Sequence, residues 1–359
     1  MRRIVLAAAA ALALSGCGLV PHPRRDVRLE QIADKSDVAA ILDHYREVRN
    51  AAIGLLDPKP LSIVESGPML AIDSGSFEVS QRLSRSESED NRNLQVSSIE
   101  TPVFSRYPLW FMVTAFDPAA RVDVVQIFER HTPTEPWLLV AAPQTLPSTQ
   151  LPGLRHDRHG RVFRVAANDG RGMIKSPQGA ATAYADALGS MTDALPGIAR
   201  DDFIKKRRSE FDDANRLEGV TVTQTWAAER VKQALRTEDG GALVWVTLLR
   251  LDTYQVQPGI KVSWAPGSPQ QAFLAHGITG VGKLRYYHQV LLYVPGGDDP
   301  PRALGQFGGV VSADADAALA PVPAPTASAE PFPGASPLPG GLPTFPSASP
   351  TASASPSNS

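Results

Sequence analysis

The chain has 359 residues, 43% of them hydrophobic, and a formal net charge of −2. This length and apolar fraction suffice for a packed core, and the near-neutral charge carries no electrostatic footprint for nucleic acid, so no nucleic-acid partner is expected. One cysteine, Cys17, excludes an intrachain disulfide framework and any cysteine-cluster metal site.

The first elements in chain order form an export signal. Arg2 and Arg3 make a positive start, and Ile4 to Leu14 is an unbroken apolar run. Such a run matches a signal-peptide core and falls short of the roughly 20 apolar residues that span a bilayer. Leu14-Ser15-Gly16-Cys17 follows at its end. This motif resembles the lipobox of bacterial lipoproteins, in which an aliphatic residue and two small residues precede the cysteine. The resemblance implies lipid addition to the Cys17 sulfur, recognition by the signal peptidase through Leu14, Ser15 and Gly16, and cleavage after Gly16. Residues 1–16 are then the signal peptide and 17–36 a lipidated tether, with Pro21 and Pro23 beside the anchor. Two acyl chains, at about 0.8 kcal/mol for each buried methylene, hold where one would exchange.

A first α+β domain is expected over 37–142. Asp37 is a candidate N-cap, and Val38, Ile41, Leu42, Tyr45, Val48, Ala52, Leu55 and Leu56 recur at helical spacing up to Asp57-Pro58. Leu61 to Val64 reads as a short element ended by Ser66-Gly67-Pro68. Strands are expected at Leu94–Val103, Leu109–Phe116, Val122–Arg130 and Trp137–Ala142. A linker with a connecting strand at Val162–Ala166 fills 143–175. A second α+β domain over 176–312 opens with Ser176 as cap and Pro177 at the first helical position, and a further helix follows Asp201. Strands are expected at Val220–Ala227, Val231–Arg236, Ala242–Val256, Ile260–Trp264, Tyr286–Val294 and Leu304–Val311, with Glu238-Asp239-Gly240-Gly241 as a hairpin turn. Residues 313–359 are rich in Pro, Ala and Ser and read as a disordered tail, since from Pro321 onward the sole charge is Glu330 and little apolar surface is present.

Several stretches imitate catalytic motifs. Ala71-Ile72-Asp73-Ser74-Gly75-Ser76 has the form of an aspartic-protease signature, but that chemistry needs two carboxyls and no second Asp-Ser/Thr-Gly exists, so a turn is the preferred reading. Gly277 to Lys283 has phosphate-loop spacing. Leu284 stands where magnesium binding needs Ser or Thr, and a strand follows where a helix should, so a strand connection is expected. His156-Asp157-Arg158-His159 is a weak metal motif and reads as a solvated linker. His288 reads as an edge-strand side chain. Lys205-Lys206-Arg207-Arg208, followed by Glu210, Asp212 and Asp213, reads as a solvated helix face. No Gly-x-Ser-x-Gly elbow occurs. No catalytic residue, metal ligand or cofactor is assigned.

Helices followed by antiparallel strands, twice over, make an α+β chain of two tandem domains. That order resembles the cone fold of nuclear-transport-factor-2-like proteins. Tyr45-Arg46-Glu47-Val48-Arg49-Asn50, Glu65-Ser66-Gly67-Pro68 with Ala71 to Phe77, Tyr107-Pro108-Leu109-Trp110-Phe111, and Phe128-Glu129-Arg130 with Pro136-Trp137 are similar to an uncharacterised family of actinobacterial lipoproteins. The resemblance implies no catalytic residue. The expected protein is a membrane-anchored extracytoplasmic lipoprotein, a non-enzymatic binding or accessory module of the cell envelope. Its expected contacts are membrane lipid through Cys17 and an envelope protein or hydrophobic ligand. The alternative is a carrier or hydrolase that uses a cone pocket for a hydrophobic small molecule or lipid.

Overall fold

The computed structural model describes residues 35–84, 94–147, 149–190, 197–315 and 351–354. Cys17 and its lipobox lie outside them, and none of the described helices is long and apolar enough to cross a membrane.

Helix α1 (Lys35–Leu55) buries the face made by Val38, Tyr45, Val48 and Ala52. Leu55, expected on that face, is 72% exposed because the helix has by then run past its cover. A short 3-10 turn (Lys59–Ile63) leads to α2 (Gly67–Arg82). This helix corrects the turn expected at Asp73. Gly67-Pro68 begins a helix here, because Pro in the first turn forfeits only an N–H that lacks an intrahelical partner anyway. Met69, Ile72 and Phe77 then face the core.

Strands β1 (Gln95–Glu100), β2 (Leu109–Asp117), β3 (Val122–Arg130) and β4 (Leu138–Ala141) form a meander, and β5 is the pair Gln144–Thr145. Helices α3 (Pro177–Gly189) and α4 (Asp202–Asn215) come next. Their caps are as the sequence implies: Gly179 N donates to Ser176 Oγ at 3.1 Å and Ile204 N to Asp201 Oδ1 at 3.0 Å. The remaining elements are β6 (Val220–Ala228), β7 (Ala234–Arg236), β8 (Ala242–Val256), β9 (Ile260–Ser263), a short α5 (Pro269–Phe273), β10 (Val281–Val294) and β11 (Arg302–Ala315). The turn from β7 to β8 is held by Asp239, which accepts from Thr237, Gly241, Tyr293 and Gly296; against the cost of burial, these bonds lower its carboxyl to about 2.

The α+β class holds, and every ladder in the sheet is antiparallel. The strands of the two expected tandem domains join in a single sheet. One sheet runs β1-β2-β3-β5-β11-β10-β8-β6, and the hinge between its limbs is β5, where Thr145 pairs with Gly305 and Gln144 with both Gln306 and Val124. The residues expected as a linker are woven into this body through bridges such as Leu154 to Thr237 and Arg164 to Leu235.

Alternation along the strands explains the layering. In β2 and β3, Phe111, Val113, Val124 and Phe128 point to α1 and α2, while Trp110, Met112, Val125 and Ile127 point to the other limb. In β8 and β10, Val244, Val246, Val290 and Leu292 point to α3 and α4, while Leu243, Trp245 and Leu291 meet the first limb. Helix, limb, limb and helix are thus stacked in order, and the central core belongs to both halves of the chain. Helix α2 also lies close to β11. A Cβ on Gly75 would stand 2.2 Å from the Val310 carbonyl oxygen, so only glycine fits there.

The tail expectation changes as well. Residues 313–315 belong to β11, and Thr351–Ala354 form a twelfth strand, β12, paired antiparallel with β9.

Candidate functional site

The two limbs face each other across their shared core, and at one margin of the contact lies a polar cleft of about 80 Å³. It is lined by Ser66 and Pro68 at the start of α2, by Glu129 and His131 at the end of β3, by Arg230, Lys232 and Gln233 before β7, and by Trp245 and Gln289 on the second limb.

Three side chains sew the limbs together here. Gln289 accepts from Ala142 N at 2.9 Å and donates to the Val140 carbonyl at 2.8 Å. Trp245 Nε1 donates to the Val125 carbonyl at 3.4 Å. Gln233 donates to the Glu129 carboxylate, which is only 3% exposed. Glu129 also meets His131 at 3.1 Å, and the His131 ring is half exposed at the mouth. Arg230 and Lys232 stand exposed on the same rim.

A carboxylate beside an imidazole, with a serine in the same cleft, invites a nucleophilic reading. That chemistry needs the serine hydroxyl within hydrogen-bond reach of the base. Ser66 caps no backbone N–H, and the polar contact of His131 is with Glu129. The cleft therefore offers donors and acceptors for a small polar group. Drug-sized ligands occupy about 300 to 1,000 Å³, well beyond this space.

Asp73, singled out by its motif, sits in a buried cluster under α1. Tyr45 donates to Glu65 Oε1 at 3.0 Å, and Arg49 Nη1 contacts Glu65 Oε1 at 3.4 Å and Asp73 Oδ2 more closely. The second carboxyl absent from the sequence motif is thus present, as Glu65. Burial first, and then the Asp73 carboxylate, push the Glu65 carboxyl well above its ordinary range, so it retains a proton. Arg49, Glu65 and Asp73 are each 1% exposed, so no substrate reaches them. The cluster ties α1 to α2.

His288 is corrected from an edge side chain to an interior one. Strand β10 lies between β8 and β11, and His288 is 4% exposed. Its ring stacks on Trp226 at 5.2 Å and Tyr286 at 6.0 Å, with Phe203 edge-on at 5.7 Å. Burial, then Arg207 and Arg250, drive its imidazole well below its usual range, so it is neutral. Arg250 makes a two-pronged pair with Asp252 at 2.8 and 2.6 Å and lies over Tyr286 at 4.4 Å. Gln224 supplies a further donor to Asp252 at 2.8 Å.

The basic run on α4 is split. Lys205 and Lys206 are exposed as expected, whereas Arg207 and Arg208 are buried at 6% and 9%. Arg207 follows Phe203 by one helical turn, lies over its ring and pairs with Glu210 at 2.8 Å. The stretch 156–159 lies on the surface, with His156 against Glu100 at 2.8 Å and Asp157 bound by Arg161. Among the described residues no cluster of His, Cys, Asp and Glu forms a metal site. Residues 277–280 connect α5 to β10, and strand rather than helix follows Lys283.

With this architecture in view, the chain belongs to the family described as "Domain of unknown function (DUF8094)", whose model matches residues 30–315. It is similar to the "Uncharacterized lipoprotein SCO6871" of Streptomyces coelicolor, at 24% identity over 288 residues, covering 73% of this chain and 79% of that protein. No solved structure matches.

Proposed function

We propose that the protein is a lipid-anchored module on the extracytoplasmic face of the cell envelope, joined to the membrane through Cys17 and acting by binding rather than by catalysis. The observation that carries the binding half is the cleft between the limbs. Its carboxylate is engaged by Gln233 and His131, its serine has no base, and its rim carries Arg230 and Lys232. Such a cleft suits a small polar side chain of an envelope protein. The anchor rests on Leu14-Ser15-Gly16-Cys17 and on the lipoprotein name of the Streptomyces relative. A carrier reading, with a hydrophobic ligand in a cone mouth, asks for several times the space that this cleft holds.

Both halves are tested in one strain set. Cells fed a fatty-acid probe should label the wild type and lose that label in Cys17→Ala; undiminished label overturns the anchor. A photo-crosslinker at Lys232 should trap a discrete envelope protein, and Gln233→Ala with Glu129→Ala should abolish the adduct. An adduct unchanged by those substitutions overturns the role of the cleft.

A further inference from the structure

The charge cluster beneath α1 backs directly onto the cleft. Glu65 precedes Ser66, the cap of α2, and its backbone bridges Leu139 of β4. Ser66 N donates to the Leu139 carbonyl at 3.2 Å, and Leu139 N to the Val64 carbonyl at 2.8 Å. The residues that follow these two, Ser66 to Pro68 and Val140 with Ala141, line the cleft. Between Glu65 and Asp73 the chain turns at Gly67, whose φ of 58° lies in the left-handed region. Glu65 thus meets Asp73 across that corner, one carboxyl from before it and the other from the second turn of α2.

Their contacts leave one gap. Tyr45 and Arg49 of α1 engage Glu65 Oε1, and Arg49 Nη1 also holds Asp73 Oδ2, so the two carboxyls flank a single nitrogen. The remaining oxygens, Glu65 Oε2 and Asp73 Oδ1, are buried and reach no N–H or O–H donor. Two ionised carboxylates would both be acceptors there; a proton on one makes the other its partner. Helix α1 brings Tyr45 and Arg49, α2 brings Asp73, and the strands beneath present Phe128 and Leu139. Among the described residues no further cation stands beside Glu65 to replace the proton.

We propose that Glu65 and Asp73 share one proton, and that this proton fastens the Gly67 corner and so sets the shape of the cleft wall. While it is held, the carboxyls stay together across the corner. When it passes to solvent, two like charges in the interior repel, and the corner yields, carrying Ser66 to Pro68 away from β4. The sign is fixed by burial and then by Asp73, which raise the Glu65 carboxyl: the fastened form prevails at low pH and is lost as pH rises through the folded value. Control of binding by this proton rests on the cleft being a binding site; the response of the corner to pH does not.

Hydrogen exchange by the full chain, with no partner present, tests this. Protection factors of the Ser66 and Leu139 amides should fall at least about fivefold in the wild type between about pH 5 and pH 9, the range in which buried carboxyls lose their protons. Glu65→Gln cannot ionise and should hold its protection over that range. Asp73→Asn leaves no second carboxylate to repel and gives the same reading where Glu65→Gln does not fold. Flat protection in the wild type overturns the release, and an equal fall in the variants assigns the motion to another group and overturns it as well. At pH 7 the infrared difference between wild type and Glu65→Gln should contain a protonated-carboxyl stretch; carboxylate bands alone overturn the shared proton. With the photo-crosslinker at Lys232, the adduct should weaken over the same pH range in the wild type and persist in Glu65→Gln. An adduct indifferent to pH while protection falls overturns control of the cleft. Absence of any adduct removes the binding reading instead, and exchange then decides the corner by itself.

Discussion

The two limbs of the sheet each bury a cluster of charges, and the clusters are built on opposite principles. Under α1, two carboxyls, Glu65 and Asp73, share the one guanidinium of Arg49. Under α4, Arg250 has its own carboxylate in Asp252 and Arg207 has Glu210, with aromatic rings filling the space between. An odd negative charge cannot be kept out of water cheaply, so the first cluster holds a proton on Glu65. A balanced set can remain ionised, and burial first, then its two cations, keeps His288 neutral. The limbs therefore respond to pH in opposite directions.

That contrast can be broken most forcefully at Arg250. Arg250→Met leaves Asp252 buried with Gln224 as its remaining side-chain donor, and a loss of about 3–5 kcal/mol is expected in urea unfolding at pH 7. A loss below about 1 kcal/mol would show that the Arg250–Asp252 pair does not hold this limb together.

Next in size is the packing of α2 on β11. Gly75→Ala forces a methyl against the Val310 carbonyl and should cost about 1–3 kcal/mol, read as a lower unfolding midpoint with unchanged slope. A neutral substitution there would show that α2 and β11 are not in backbone contact at Gly75.

The pH responses are smaller and sharper. The folded pKa of His288 lies below its unfolded value near 6.5, so below that pH the unfolded chain binds the extra proton and stability falls with acidification. His288→Phe should remove this acid slope. The folded pKa of Glu65 lies above its unfolded value of 4.5, so the native state holds the extra proton and stability falls as pH rises beyond 4.5 toward the folded pKa. Glu65→Gln mimics the protonated group. It should change stability at pH 7 by no more than about 1 kcal/mol, the scale of one hydrogen bond, and flatten the alkaline slope. Slopes that survive both substitutions would dissolve the comparison.

Much of this was legible in the residues themselves. Ser176-Pro177 and Asp201 mark helix starts where they occur, because a cap is a local bond between neighbours in the chain. The boundaries of β3 and β8 also follow directly from β-branched runs and turn residues. Other features were illegible for a physical reason. Gly67-Pro68 is as compatible with a stop as with a start, and only the core waiting for Met69, Ile72 and Phe77 decides. Neither Glu65 as the second acid beside Asp73 nor Gln233 beside Glu129 has a signal in spacing, since 104 positions separate the latter pair.

By itself, the sequence determined most of the strands, the caps at Ser176 and Asp201 and much of the apolar faces, all of which depend on neighbours within a turn or a strand. Tertiary structure alone decided that two runs of strands close into one sheet through Gln144 and Thr145, that a cleft opens where the limbs meet, and that part of the Pro-rich tail returns to β9. Those outcomes depend on backbone edges finding partners far away in the chain. A hydrogen-bonding edge looks the same in the sequence whichever strand it will meet.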